Sequence, residues 1–200
     1  MRVLSANLAA QISQSIPPAL RQRYAGRIRY WCSDESRVGL LTVQHRKLTG
    51  FGVQPMGSIQ WEFVYRWLYG LVEPLSGASW RVECSHLDSS CFEAFLHSFA
   101  AQFPDDLHLI QVDNAAAHTA LNLTIPDNVI LVFQPPYCPE VNPIERVWRE
   151  LKRELAWVHF DDVGQLQHAI SQWVCRLSAE SLRSLTQWDW IVDALCVAGI

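Results

Sequence analysis

"SSCFEAFLHSFAAQFPDDLHLIQVDN", residues 89–114, changes its hydrophobic period half-way along, and that change decides the fold class. Phe92, Phe95, Leu96, Phe99 and Phe103 recur at helical spacing, which predicts a helix over 90–103 with Asp88 or Ser89 as N-cap. "LHLIQVD" (107–113) is then a short apolar run without alternation, and "VILVFQ" (129–134) is another. Strands of that texture are covered on both faces, so the sheet they belong to has layers on each side.

Upstream, "RIRYWCSD" (27–34), "RVGLLTVQH" (37–45), "IQWEFVYRWLYGLVEP" (59–74) and "GASWRVECS" (77–85) read as strands. "RKLTGFGVQPMG" (46–57), with three glycines and a proline, reads as a turn region. Downstream, "PPYCPEVNP" (135–143) has to be irregular, and helical patterns follow over 143–155, 161–177 and around 188–197. Strands, then helix, strand, strand and terminal helices make an α/β layered domain with a mixed sheet. The expected division is a lead-in or linker at 1–26 and one domain over 27–200.

Composition narrows the function classes. Half of the 200 residues are hydrophobic and 18% are charged, enough for one sizeable core. No segment has the roughly 18 uninterrupted apolar residues of a membrane helix, and the N-terminus does not read as a signal peptide. Six scattered cysteines without Cys-x-x-Cys or zinc spacing read as reduced thiols in a cytoplasmic protein. The net charge of −4 hides an asymmetry: residues 1–60 hold eight Lys/Arg against Asp34 and Glu35, a net of +6, and the remainder carries −10. "RQRYAGRIRY" (21–30), with four arginines, is either a phosphate-contacting arm or an ordinary solvated segment.

Three carboxylates occupy unusual places. Asp34 ends the first expected strand, Asp113 ends the buried strand after the long helix, and Glu145 lies in the first turn of the helix starting at Pro143. Each has a plain structural reading: Asp34 as a turn residue, Asp113-Asn114 as an Asx-turn, and Glu145 as N3 of a capping box with Asn142. Together they read differently. Strand ends can converge at one sheet edge with a helix start above them, and three carboxylates there repel unless cations neutralise them. Oxygen-only ligands suit Mg²⁺, and a pair of such ions can drive phosphodiester chemistry. On the helix after Glu145, Ile144, Val147, Trp148, Leu151 and Leu155 form one apolar face, leaving Glu145 on its flank near Arg149 and Lys152.

"CSDES" (32–36), "VDNAAAH" (112–118) and "QPPYCPEVNPIERVWRELK" (134–152), in this order, resemble the catalytic domain of bacterial insertion-sequence transposases of the mariner-like branch of the DDE superfamily. The resemblance covers about residues 27–190. It implies an RNase H-like fold, a mixed five-stranded sheet flanked by helices. It implies that Asp34, Asp113 and Glu145 are the catalytic, metal-binding triad for two Mg²⁺ (or Mn²⁺) ions. It also implies nicking of double-stranded DNA at transposon ends and joining of the 3′-hydroxyl to target DNA by a homodimer. Asn114 and His118 become site-supporting residues, and Arg149, Lys152, Arg46 and Lys47 DNA-contacting ones. Two departures stand out. Asp113 and Glu145 are 32 positions apart, a few fewer than the branch shows. Residues 1–26 are too short for the N-terminal helix-turn-helix part of full-length relatives, so a separate DNA-reading half is expected. The competing readings are a nuclease of the same fold without strand transfer, and a non-catalytic or regulatory remnant. A small-molecule enzyme is disfavoured, because no Gly-rich phosphate loop or nucleophile elbow is present.

Overall fold

A computed structural model describes residues 2–120 and 123–200. Its centre is a five-stranded sheet in the order β3-β2-β1-β4-β5, with β1 Ile28–Gly39, β2 Tyr65–Val72, β3 Ser79–Cys84, β4 Leu107–Val112 and β5 Val129–Phe133. The first three strands pair antiparallel, and β4 and β5 run parallel to β1. This is the RNase H-like arrangement the resemblance implied. The helices are α1 Arg2–Ser15, α2 Pro18–Arg23, α3 Ser89–Gln102, α4 Ile144–Glu154, α5 Val163–Arg176, α6 Ala179–Thr186 and α7 Asp189–Ala198.

The sheet separates two cores. Helix α3 puts Phe92, Phe95, Leu96 and Phe99 against Trp31, Tyr69, Leu71, Ile110 and Val112 on one face. The other face carries Tyr30, Leu68, Val72 and Leu109 under α1, α4, α5, α6 and α7. Every residue of β4 is buried, as its lack of alternation requires. Asp88 caps α3, accepting a hydrogen bond from the Cys91 N–H at 2.8 Å. Residues 1–26, expected as a lead-in, contribute α1 and α2; α1 packs on α7 and buries Ile12 completely.

The structure corrects the expected strands near the site. The segments read as two strands, 27–34 and 37–45, join through Glu35-Ser36 into one strand of 12 residues that ends at Gly39, so residues 40–45 lie outside it. A turn was expected there because Asp-Glu-Ser is turn-like. Antiparallel pairing with β2 from Cys32↔Val72 to Gly39↔Tyr65 holds the chain extended instead. Asp34 therefore lies inside a strand, two residues past Cys32↔Gln111, where pairing with β4 stops. The segment 59–74 forms a strand only from Tyr65.

Helix α4 buries the face that its spacing predicts: Ile144, Val147, Trp148 and Leu151, with Leu155 following. Each such side chain contributes about 1.5–3 kcal/mol. The helix lies close because residue 70 is glycine. A Cβ there would stand 2.6 Å from the Trp148 ring and 3.1 Å from Ile144 Cδ1. Gly70→Ala should therefore cost about 1–3 kcal/mol. Thermal unfolding should show a Tm lowered by roughly 2–10 °C; an unchanged Tm would mean that α4 does not rest on Gly70.

Candidate active site

Cross-strand partners share a sheet face, so Asp34, opposite Gly70, lies on the α4 side. Its neighbour Glu35, opposite Tyr69, lies on the α3 side. Asp113 follows the last residue of β4, next to the point where β1 leaves that strand. Glu145 is in the first turn of α4, half-buried, and its position is fixed by Asn142. The Asn142 side chain was expected to cap the helix with Glu145. It makes no cap; its Nδ2 donates at 2.8 Å to the carbonyl of Ser33, the residue before Asp34. The capping box gives way because a buried strand carbonyl lies within reach of the amide. The Asn142 backbone carbonyl still accepts from the Glu145 N–H at 3.2 Å.

The acids act on one another through their charges. Burial, then the charges of Glu145, Glu35 and Asp113, push the Asp34 carboxyl up to about 8 from its ordinary value of 3.8. A backbone hydrogen bond at Glu35 opposes this only in part. Asp34, Asp113 and Glu145 thus share one neighbourhood. Among the described residues, though, no three His, Cys, Asp or Glu side chains stand close enough together to hold a metal ion. The donor set fits Mg²⁺ or Mn²⁺ in kind, being all carboxylate oxygen with a surplus of negative charge to neutralise.

The supporting residues divide. Asn114 donates from Nδ2 to the Gln134 carbonyl at 2.8 Å, tying the loop after β4 to the end of β5. His118 is buried, its Nδ1 2.7 Å from Asp113 Oδ1 and its Nε2 3.1 Å from Glu35 Oε1. The Ala115 N–H also donates to Asp113 Oδ1, at 2.9 Å. Burial alone would lower the His118 pKa, but the hydrogen bond and charge of Glu35, with Asp113 behind them, raise it above the ordinary 6.5. Sequence reasoning missed Glu35. Strand periodicity was its one signal, since the neighbour of a site aspartate in a continuous strand points into the opposite layer and there needs a partner.

The basic candidates do not form one patch. Arg149 lines a cleft of about 460 Å³ with Glu145, Arg146, Asn142 and Trp188, beside the acids. Lys152 lines a different cleft with Arg37, Glu62 and Tyr65. Arg46 is exposed, and Lys47 stacks 4.1 Å from the Trp157 ring while donating to the Met56 carbonyl. In the 21–30 stretch, Arg21 donates to the Ala198 carbonyl and Arg29 pairs with Glu73 and Asp106, so two of its arginines serve the fold.

Comparison with known proteins places this geometry. The family of DDE superfamily endonucleases matches residues 29–167. An uncharacterized protein of Sinorhizobium fredii, y4pE/y4sA, is 26% identical over 117 residues, 55% of this chain and 84% of that protein. The fold is that of Mos1 transposase. Its paired-end complex with Mn superposes with a TM-score of 0.66 at 14% identity, covering 100% of this chain. Its paired-end complex with Mg superposes at 0.63 and 15%, covering 99%. The chain spans 62% and 60% of the length of those two Mos1 chains.

The raised Asp34 carboxyl has a sign that can be checked. An acid whose folded pKa lies above its unfolded value binds more protons when folded, so it destabilises the metal-free protein as pH rises from about 4 to about 8. Asp34→Asn should therefore raise the Tm of metal-free protein at pH 8 by several degrees, on the order of 1–3 kcal/mol. The gain should vanish as pH falls toward 4. A gain that stays constant across pH 4–8 would mean that the carboxyl is not perturbed.

Proposed function

The chain belongs to the DDE superfamily of endonucleases, and from that premise we propose that it is the catalytic domain of a mariner-like transposase. It cuts DNA strands at transposon ends and transfers the freed 3′-hydroxyl to target DNA. The observation that supports this reading is that Asp34, Asp113 and Glu145 come from three separate elements near the place where β1 and β4 part, and that the charges of Glu145 and Asp113 both act on the Asp34 carboxyl.

Asp34, Asp113 and Glu145 would hold two Mg²⁺ or Mn²⁺ ions, for which the three side chains must draw closer than they stand. Bound there, the ions supply activation of the attacking water or hydroxyl and stabilisation of the leaving oxygen. The chain's own residues do the rest. Asn142 and Gly70 seat the start of α4, which carries Glu145, over the strand that carries Asp34. His118 and Asn114 fix the loop that carries Asp113. Arg149, in the cleft beside Glu145, meets the phosphate backbone near the scissile bond, and Lys152, Arg46 and Lys47, which lie apart from that cleft, make separate backbone contacts.

The Mos1 structures are paired-end and strand-transfer complexes. By analogy this chain acts as a homodimer on double-stranded transposon-end DNA in the cytoplasm, with end recognition supplied by a separate helix-turn-helix part. The described residues contain no helix long and apolar enough to cross a membrane.

The test uses DNA carrying the element's terminal repeats, with cleavage and joining of pre-cut ends assayed separately. The expected result is strand cleavage that requires Mg²⁺ or Mn²⁺ and falls by at least about 10³-fold in Asp113→Ala. Cleavage retained in that variant would sink the assignment. Cleavage without joining would instead favour a nuclease of the same fold.

A further inference from the structure

Glu35 takes no part in the acid triad, and yet it is not an idle surface carboxylate. Its side chain is 7% exposed, and the His118 side chain, to which it is hydrogen-bonded, is 1% exposed. On the far side of the same ring stands Asp113 Oδ1. Phe92 of α3 packs against that ring with centroids 4.3 Å apart, so the imidazole has little room to turn. Burying a carboxylate and an imidazole is expensive unless their partners are well placed. A residue needed only to anchor the loop after β4 would be served by another apolar side chain on the Phe92 surface. The structure instead spends two polar groups on one oxygen of one aspartate.

That oxygen is also taken by the Ala115 N–H, so Oδ1 is fully engaged by the protein. The Asp113 side chain as a whole remains 44% exposed, which leaves Oδ2 as the oxygen open to a ligand. We propose that Glu35 is a positioning residue which, through His118, locks Asp113 Oδ1 and thereby presents Oδ2 to a divalent cation. The proposal rests on the reading of Asp113 as a metal ligand. It places the orienting group on β1 itself. One strand then sets both aspartates, Asp34 directly on the α4 side and Asp113 indirectly from the α3 side. A hydrogen-bonded partner behind a ligand typically changes metal affinity 10–100-fold.

The experiment measures Mn²⁺ binding to the 200-residue chain, free of DNA, by calorimetry at one fixed pH. Glu35→Leu should bind Mn²⁺ about 10–100-fold more weakly than wild type, with the metal-free Tm recorded alongside. Glu35→Gln can still meet the His118 Nε2 from its amide, and should recover affinity to within about threefold. Wild-type affinity in Glu35→Leu, with binding lost in Asp113→Ala, overturns the proposal. So does a Glu35→Gln variant as weak as Glu35→Leu, because that would make Glu35 a ligand in its own right. Should Asp113→Ala bind Mn²⁺ as wild type does, the metal reading of Asp113 fails and the proposal falls with it. If Glu35→Leu does not fold, His118→Asn against His118→Leu carries the same comparison. Asparagine keeps a donor for Asp113 and leucine does not, so equal affinity in those two overturns the proposal.

Discussion

A single amide sets the relation between the sheet and the helix above it. Asn142 Nδ2 reaches a strand carbonyl 109 residues away, at Ser33, and so pins the start of α4 directly over the strand that carries Asp34. The apolar face of α4 says only that the helix lies on the sheet, because ridge-and-groove packing tolerates sliding and rotation. The hydrogen bond removes that freedom at the end where Glu145 sits. Its cost is visible: Asn142 Oδ1 is buried without a hydrogen-bond partner, the sort of group whose desolvation costs about 1–3 kcal/mol. Gly70 completes the constraint by letting the Trp148 ring rest on the backbone of β2. A side chain at 70 would lift the helix, and with it Glu145, away from Asp34.

What was legible in the sequence follows from range. Local rules located α3 and its Asp88 cap, the buried strand β4 and the apolar face of α4, because each depends on residues within a turn or two of one another. The rules failed where a distant partner overrode a local preference. Asp34-Glu35-Ser36 has the composition of a turn, but β2 supplies an unbroken antiparallel ladder and the chain stays extended. Asn142 followed by Pro143 and Glu145 has the composition of a capping box, but Ser33 offers a better use for the amide. Singly, the three acids each had a plain structural reading; only as a set did Asp34, Asp113 and Glu145 point to a candidate site. Glu35 was not legible, because its role depends on which face of β1 it takes and that required the strand to continue.

The two buried histidines show how surroundings divide one residue type into two uses. His108 faces the Trp31 indole N–H at 3.1 Å on one nitrogen and the Phe103 carbonyl at 3.0 Å on the other. A single neutral tautomer satisfies both, and burial lowers its pKa accordingly. His118 faces carboxylate oxygens on both nitrogens, which no neutral tautomer satisfies, and its pKa moves the other way. The first histidine belongs to the α3 core; the second is held by the acids themselves.

The same electrostatics bear on how, under the proposed reading, a protein of net charge −4 would engage a polyanion. A metal-free cluster of Asp34, Asp113 and Glu145 repels a phosphate backbone, and Arg149 beside Glu145 offsets only part of that. Under the proposed reading, a divalent cation among the acids and a phosphate at the cleft each relieve a penalty that the other would otherwise meet. Linkage then requires the coupling to be mutual: DNA tightens the cation as much as the cation tightens DNA. The acid surplus that raises the Asp34 carboxyl in the free chain is, on this view, what makes the site wait for both.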